Sequence, residues 1–238
     1  MVQYRLTELT KSLPATVPFV GPETQERARG GPFDARIGAN ESVFGPSPGV
    51  VAAIAEAASS AWMYGDPENH VLCQAIAAQH GVEPGNIMVG EGIDALLGYV
   101  VRMFVGPGDS VVTSQGAYPT FNYHVVGYDG QLVTVPYRDD REDVDALLAA
   151  AAECQAKLIY LANPDNPMGT WSCAEKIDDM ISRVPAGALL VLDEAYGEFA
   201  EPGTLPEIDV SSDRVLRFRT FSKAYGLAGI RLGYVVGN

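Results

Sequence analysis

The chain has 238 residues, 47% of them apolar, and carries 16 basic against 30 acidic side chains for a formal charge of −14. That length supports one full core of ordinary globular composition, and the acidic balance argues against nucleic acid or an anionic membrane as the main partner. No apolar run approaches the ~20 residues of a membrane span, and Met1-Val2-Gln3-Tyr4-Arg5-Leu6 opens no signal-peptide core.

Residues 1–45 are rich in Pro and Gly and lack periodicity, which predicts an extended N-terminal arm ending at Phe44-Gly45-Pro46-Ser47-Pro48. A helix is expected over 48–61, with Val50, Val51, Ile54 and Ala58 on one face. A second should start at Asp66-Pro67-Glu68, a cap residue followed by Pro, and end near His80-Gly81. From there short apolar runs at 87–89, 110–113, 131–136, 158–162, 188–192, 215–218 and 232–236 read as strands. Helical stretches at 93–105, 120–128, 143–153 and 175–184 separate most of them. Such alternation predicts an α/β domain over 46–238, a mostly parallel central sheet with helices on both faces. Cys73, Cys154 and Cys173 are widely spaced, as are His70, His80 and His124. They read as reduced thiols of a cytoplasmic protein, and no metal site is expected.

Ligands of open α/β sheets lie beyond the carboxyl ends of the strands. Polar groups fall there in several segments: Gly90-Glu91-Gly92, Asn163-Pro164-Asp165-Asn166 and Asp193-Glu194-Ala195-Tyr196. The most informative segment is Thr220-Phe221-Ser222-Lys223-Ala224-Tyr225-Gly226-Leu227-Ala228-Gly229-Ile230-Arg231. A lysine amine forms imines with carbonyls, and hydroxyls, turn amides and an arginine fork suit a phosphate dianion. The combination points to a phosphorylated aldehyde held as a Schiff base, pyridoxal 5′-phosphate. Asp193 ends a strongly apolar strand, where a buried carboxylate needs a cationic partner such as a pyridinium nitrogen; a helix cap is the plainer role. Tyr196 and Asn166 suit a phenolic oxygen, and Phe121 an aromatic ring. Gly92, Ile93 and Asp94 open a helix whose free amides can hold phosphate. The same Gly90-Glu91-Gly92-Ile93-Asp94-Ala95 also fits a dinucleotide-binding G-x-G-x-x-A fingerprint, with Asp109 as the ribose contact of a nicotinamide-dependent dehydrogenase.

These pieces occur in one order: Asn40-Glu41, Gly45-Pro46-Ser47-Pro48, Tyr64-Gly65-Asp66-Pro67, then residues 90–94, 118–123, 163–169, 193–196 and 220–231. In that order the chain resembles the fold-type I pyridoxal-phosphate-dependent aminotransferases of class I and II, and among them the histidinol-phosphate aminotransferases. The resemblance implies that Lys223 holds the coenzyme and moves a proton, that Asp193 pairs with the ring nitrogen, and that Tyr196 and Asn166 touch its phenolic oxygen. It implies Phe121 on the ring face. It further implies Thr220, Ser222, Arg231 and the amides of Gly92, Ile93 and Asp94 on the phosphate, and Asn40 near the substrate. It also implies a homodimer in which Tyr64 reaches the partner subunit's phosphate site, with an amino donor and a 2-oxo acid as small-molecule partners.

Relatives usually carry a small polar residue where Ile93 stands, and Thr where Met168 stands. They also continue into a C-terminal small domain bearing the arginine that grips the substrate carboxylate, whereas this chain ends fifteen residues after Lys223. A partial chain is therefore expected. A decarboxylase or lyase of the same fold, of the threonine-phosphate decarboxylase kind, would use nearly the same residues. A non-catalytic coenzyme-binding fragment is the remaining alternative.

Overall fold

The seven apolar runs all form strands, and all seven join one sheet. The computed structural model describes residues 4–14 and 19–238; the arm residues 1–3 and 15–18, including the start of the segment read as lacking a signal peptide, lie outside the described part. The strands are β1 (Ile87–Gly90), β2 (Ser110–Ser114), β3 (Gln131–Val135), β4 (Leu158–Ala162), β5 (Leu189–Asp193), β6 (Val215–Thr220) and β7 (Gly233–Val236), in the order β1-β7-β6-β5-β4-β2-β3. Only β7 runs antiparallel to its neighbours; the other pairings are parallel. Central β4 and β5 are buried at every residue, which is why both read as unbroken apolar runs rather than alternating ones.

Successive side chains of these strands serve two cores. Leu158, Tyr160, Leu189 and Val191 meet Leu96, Leu97, Val101, Phe121 and Val125, which come from the helices Ile93–Phe104 and Pro119–Gly127. Ile159, Leu161, Leu190 and Leu192 meet Leu147, Leu148, Ile177 and Met180 from the helices Val144–Glu153 and Ala174–Arg183. Helices thus cover both faces, as the alternation predicts. A smaller core joins Cys73, Ile76 and Ala77 to Ile87, Tyr234 and Val236 at the β1–β7 edge.

Numbered in chain order, the helices are α1 (Glu8–Ser12), α2 (Pro22–Arg29), α3 (Pro48–Ala57), α4 (His70–His80), α5 (Ile93–Phe104), α6 (Pro119–Gly127), α7 (Val144–Glu153) and α8 (Ala174–Arg183). The first two correct the expectation of a purely extended arm. Thr7 caps α1 through the Thr10 amide, while α2 starts on Pro22 and stops at Gly30 in the left-handed region, and neither buries a residue. The helix expected over 48–61 ends as α3 and tightens into a single 3-10 turn at Ala58–Ser60. The start expected at Asp66 is also corrected: α4 begins at His70, because Asn69 at φ 51° turns the chain in. Asp66 still caps it from a distance, accepting the amides of Glu68 (3.0 Å) and His70 (2.9 Å).

Candidate active site

The parallel strands β1, β4, β5 and β6 end along one edge, and residues following them line a cavity of about 560 Å³ together with part of the arm. Lys223 enters it from the turn after β6. Its Nζ donates to the arm carbonyls of Ala39 (3.1 Å) and Asn40 (3.4 Å) and lies 5.6 Å from the centre of the Tyr196 ring. The arm reaches this position because it crosses Gly226, where a Cβ would lie 2.5 Å from the Gly45 carbonyl and φ is +67°. Asn40 completes the clamp, its Nδ2 donating to the Tyr196 hydroxyl (2.9 Å). Burial pushes the Lys223 amine below its ordinary range, with Glu41, Asp94 and Asp193 opposing the shift and Arg231 adding to it.

Asp193 ends β5 with only 5% of its surface exposed. Its Oδ2 accepts from the Tyr160 hydroxyl (2.7 Å) and its Oδ1 from the Ala195 amide (2.9 Å). Burial nevertheless outweighs these two bonds and pushes the carboxyl up to about 6. Opposite this acid, the first turn of α5 faces the cavity. Gly92 caps α5 at φ +83°, and a Cβ there would meet Arg231 Nη2 at 2.5 Å, so the guanidinium packs directly on that turn. One of its nitrogens donates to Ala228 O (2.8 Å). Gly233 also brings β7 close, since a Cβ there would sit 2.9 Å from the Ile93 amide nitrogen. Ile93, Asp94, Thr220 and Ser222 line the same end of the cavity, and Thr220 Oγ1 accepts the Ser222 amide (3.0 Å). The Ile93 side chain itself turns into the core.

Asn166 also lines the cavity, on a loop tied down by Asn163. Asn163 Oδ1 accepts the Ser172 amide (2.8 Å), and its Nδ2 donates to the carbonyls of Ser172 (3.1 Å) and Thr204 (3.2 Å). Gly92 and Phe121 are not among the residues lining the cavity; Gly92 caps the helix turn that faces it. Phe121 is 0% exposed, because α6 turns it into the core, and its ring stacks on Tyr160 with centroids 4.6 Å apart. The aromatic groups on the wall near Asp193 are Tyr118, Tyr160 and Tyr196. Tyr64 is fully exposed and lies outside the cavity. The dinucleotide reading also meets a geometric objection. Asp109 precedes β2, at the opposite end of the sheet, and its carboxylate accepts the Gly106 amide (3.0 Å).

Sequence reasoning missed the groups behind the wall. Glu194 is fully buried between Arg217 (2.6 Å) and Arg219 (2.8 Å), which holds the chain beside Asp193 rigid. The signal was present: two arginines alternating along a buried strand demand an acid on the adjacent one. Glu142 is also buried, accepting Ser114 Oγ (2.6 Å) and the Ala162 amide (2.9 Å), and burial pushes it up to about 8. Tyr118 donates to Asp94 (2.9 Å).

The arrangement can hold an anion at α5 and Arg231, a protonated ring nitrogen at Asp193 and a carbonyl at Lys223. The family model for aminotransferase class I and II matches residues 35–238. A histidinol-phosphate aminotransferase of Anaeromyxobacter is 39% identical over 227 residues, covering 94% of this chain and 62% of the relative. That of Moorella thermoacetica is 35% identical over 205 residues, covering 84% and 53%. The crystal structure of the Sinorhizobium meliloti histidinol-phosphate aminotransferase in complex with pyridoxal-5′-phosphate superimposes with a TM-score of 0.95 at 56% identity, covering 99% of this chain and 64% of that one. The chain thus spans between about half and two thirds of the length of these relatives. With the family model covering nearly all of it, the chain belongs to the class I and II aminotransferases.

Proposed function

We propose that this chain is the coenzyme-binding part of a pyridoxal 5′-phosphate-dependent aminotransferase that moves nitrogen between a donor of the histidinol-phosphate kind and a 2-oxo acid. The observation that carries this reading is the meeting, in one cavity, of the half-buried Lys223 amine, the buried Asp193 carboxylate and the Arg231–α5 anion site. When bound, the coenzyme supplies an imine-forming aldehyde and an electron-accepting ring.

The chain's own residues do the rest. Lys223, with its proton affinity lowered by burial, is the nucleophile and the base that moves the substrate proton. The carbonyls of Ala39 and Asn40 hold its nitrogen in place. Asp193, ionised above about pH 6, keeps the ring nitrogen protonated. Tyr196 and Asn166, both lining the cavity, would donate to the coenzyme's phenolic oxygen. The Gly92, Ile93 and Asp94 amides, with Arg231, Thr220 and Ser222, neutralise the phosphate. Asn40, whose Nδ2 donates to the Tyr196 hydroxyl, lies near the substrate in this reading. The arm within 1–45 serves the site of a large domain formed by 46–238, its described residues around 19–23 and 38–41 lining the cavity. Phe121 acts from behind, backing the Tyr160 ring rather than facing the coenzyme.

The functional unit is a homodimer. In support, α3 buries no residue, and Phe44, Trp62 and Tyr64 are exposed around it, Tyr64 being the side chain that would reach the partner subunit's phosphate site. Half-reactions with a panel of amino donors test the activity. Amine transfer to the bound coenzyme, strongest with histidinol phosphate, supports the proposal; carbon dioxide release without nitrogen transfer would assign the decarboxylase chemistry instead.

A further inference from the structure

Asp193 has a partner that the motifs do not include. Tyr160 lies three residues before Asn163 on β4, is 0% exposed, and lines the cavity from the sheet side. Its ring is fixed by Phe121, stacked on it at 4.6 Å and 20°. Its hydroxyl has one acceptor, Asp193 Oδ2, at 2.7 Å, a short distance that fits a bond to a charged acceptor. Because the ring cannot turn without unstacking, the donor points at one oxygen and fixes the carboxylate plane. The Ala195 amide holds the other oxygen at 2.9 Å.

We propose that Tyr160 is a positioning residue: its buried phenol orients the Asp193 carboxylate and favours its charged form, so that the ring nitrogen rather than the acid holds the shared proton when a pyridine nitrogen binds against it. This inference rests on the coenzyme reading given above. A carboxylate in this position has to hold its charge against burial and several neighbours. Asp94 in the first turn of α5 and Glu194 beside it on the chain both disfavour its charge. Glu194 is offset by Arg217 and Arg219 from β6. Glu142, ahead of α7, lies within electrostatic reach, as do the phenols of Tyr118 and Tyr196 and the amine of Lys223. Tyr160 is the side chain that donates a hydrogen bond to the carboxylate, so its loss leaves the Ala195 amide alone to oppose burial.

Tyr160→Phe removes that donor and keeps the stacked ring. The test follows the Asp193 carboxyl by carbon NMR in the apoprotein, wild type and variant, with Asp193→Asn assigning the signal. The inference expects the variant's midpoint to rise by about one pH unit or more, the size of effect one hydrogen bond to a charged form produces. Tyr137→Phe is the control: it deletes another phenol–carboxylate bond, to Asp165 (3.0 Å), and should leave the Asp193 midpoint close to wild type. On loading with nitrogen-15-labelled pyridoxal phosphate, the ring-nitrogen signal of Tyr160→Phe should shift toward the unprotonated form, and kcat should fall about tenfold with little change in KM. An Asp193 midpoint unmoved by Tyr160→Phe, or moved equally by Tyr137→Phe, overturns the inference. Failure of wild type to bind the coenzyme would instead overturn the functional reading, and the apoprotein titration would still decide the role of Tyr160.

Discussion

At the scale of single residues, the site depends on ionisable groups that burial shifts toward their neutral forms. The Lys223 amine moves down, and Asp193 and Glu142 move up to about 6 and about 8. A carboxyl whose folded value is raised binds more protons in the native state than in the unfolded chain. Its favourable contribution is therefore full below the unfolded value near 4 and is lost as pH rises through the folded one. The apoprotein should accordingly melt at progressively lower temperature between about pH 5 and 8, and calorimetry across that window checks it. Glu142→Gln keeps acceptor and donor atoms for Ala162 and Ser114, so it should flatten the upper half of that slope. Glu142→Ala leaves both donors unmet and should cost about 1–3 kcal/mol. For the proposed chemistry the sign at Asp193 reverses, because that reading uses the charged form. Asp193→Asn should lower kcat by about 10²–10³ while coenzyme still attaches at Lys223; single-turnover kinetics at pH 8 measures this.

At the scale of elements, one loop crossing places the arm over the site. Gly226, at φ +67°, lets the Gly45 backbone cross within van der Waals contact, and the carbonyls of Ala39 and Asn40 then reach Lys223. Gly226→Ala combines left-handed strain with a 2.5 Å clash against backbone. Limited proteolysis should cut the arm of that variant well before the domain; equal protection of both would show that the crossing does not govern docking. The strands were legible because β4 and β5 are buried at every residue and β5 is apolar up to Asp193, and the helices α5, α7 and α8 because their apolar spacing is regular. The start of α4 was not, because a left-handed Asn69 and a carboxylate four residues upstream replace an adjacent cap. The arm helices were hidden for a related reason: neither buries a side chain, so no apolar face marks them.

At the scale of the whole molecule, residues distant in sequence converge at one edge of the sheet. The segments that motifs mark, around residues 90–94, 163–166, 193–196 and 220–231, all reach it. The aromatic wall was not legible, because which of Phe121, Tyr118 and Tyr160 faces the cavity depends on the roll of α6 against β4, and local sequence does not encode that angle. Exposed Phe44, Trp62, Tyr64 and Val71 give the surface an apolar region, so the full-length protein should sediment as a dimer, and Trp62→Asp should shift it toward monomer. A monomeric full-length wild type would contradict the proposed role of Tyr64 at the partner subunit's site. The central claim reduces to a single bond, between the coenzyme's aldehyde carbon and one amine. Borohydride reduction of the coenzyme-loaded protein followed by peptide mass spectrometry should find the pyridoxyl phosphate adduct on the peptide containing Lys223, and none in Lys223→Ala. An adduct on another lysine, or no adduct at saturating coenzyme, would contradict the account.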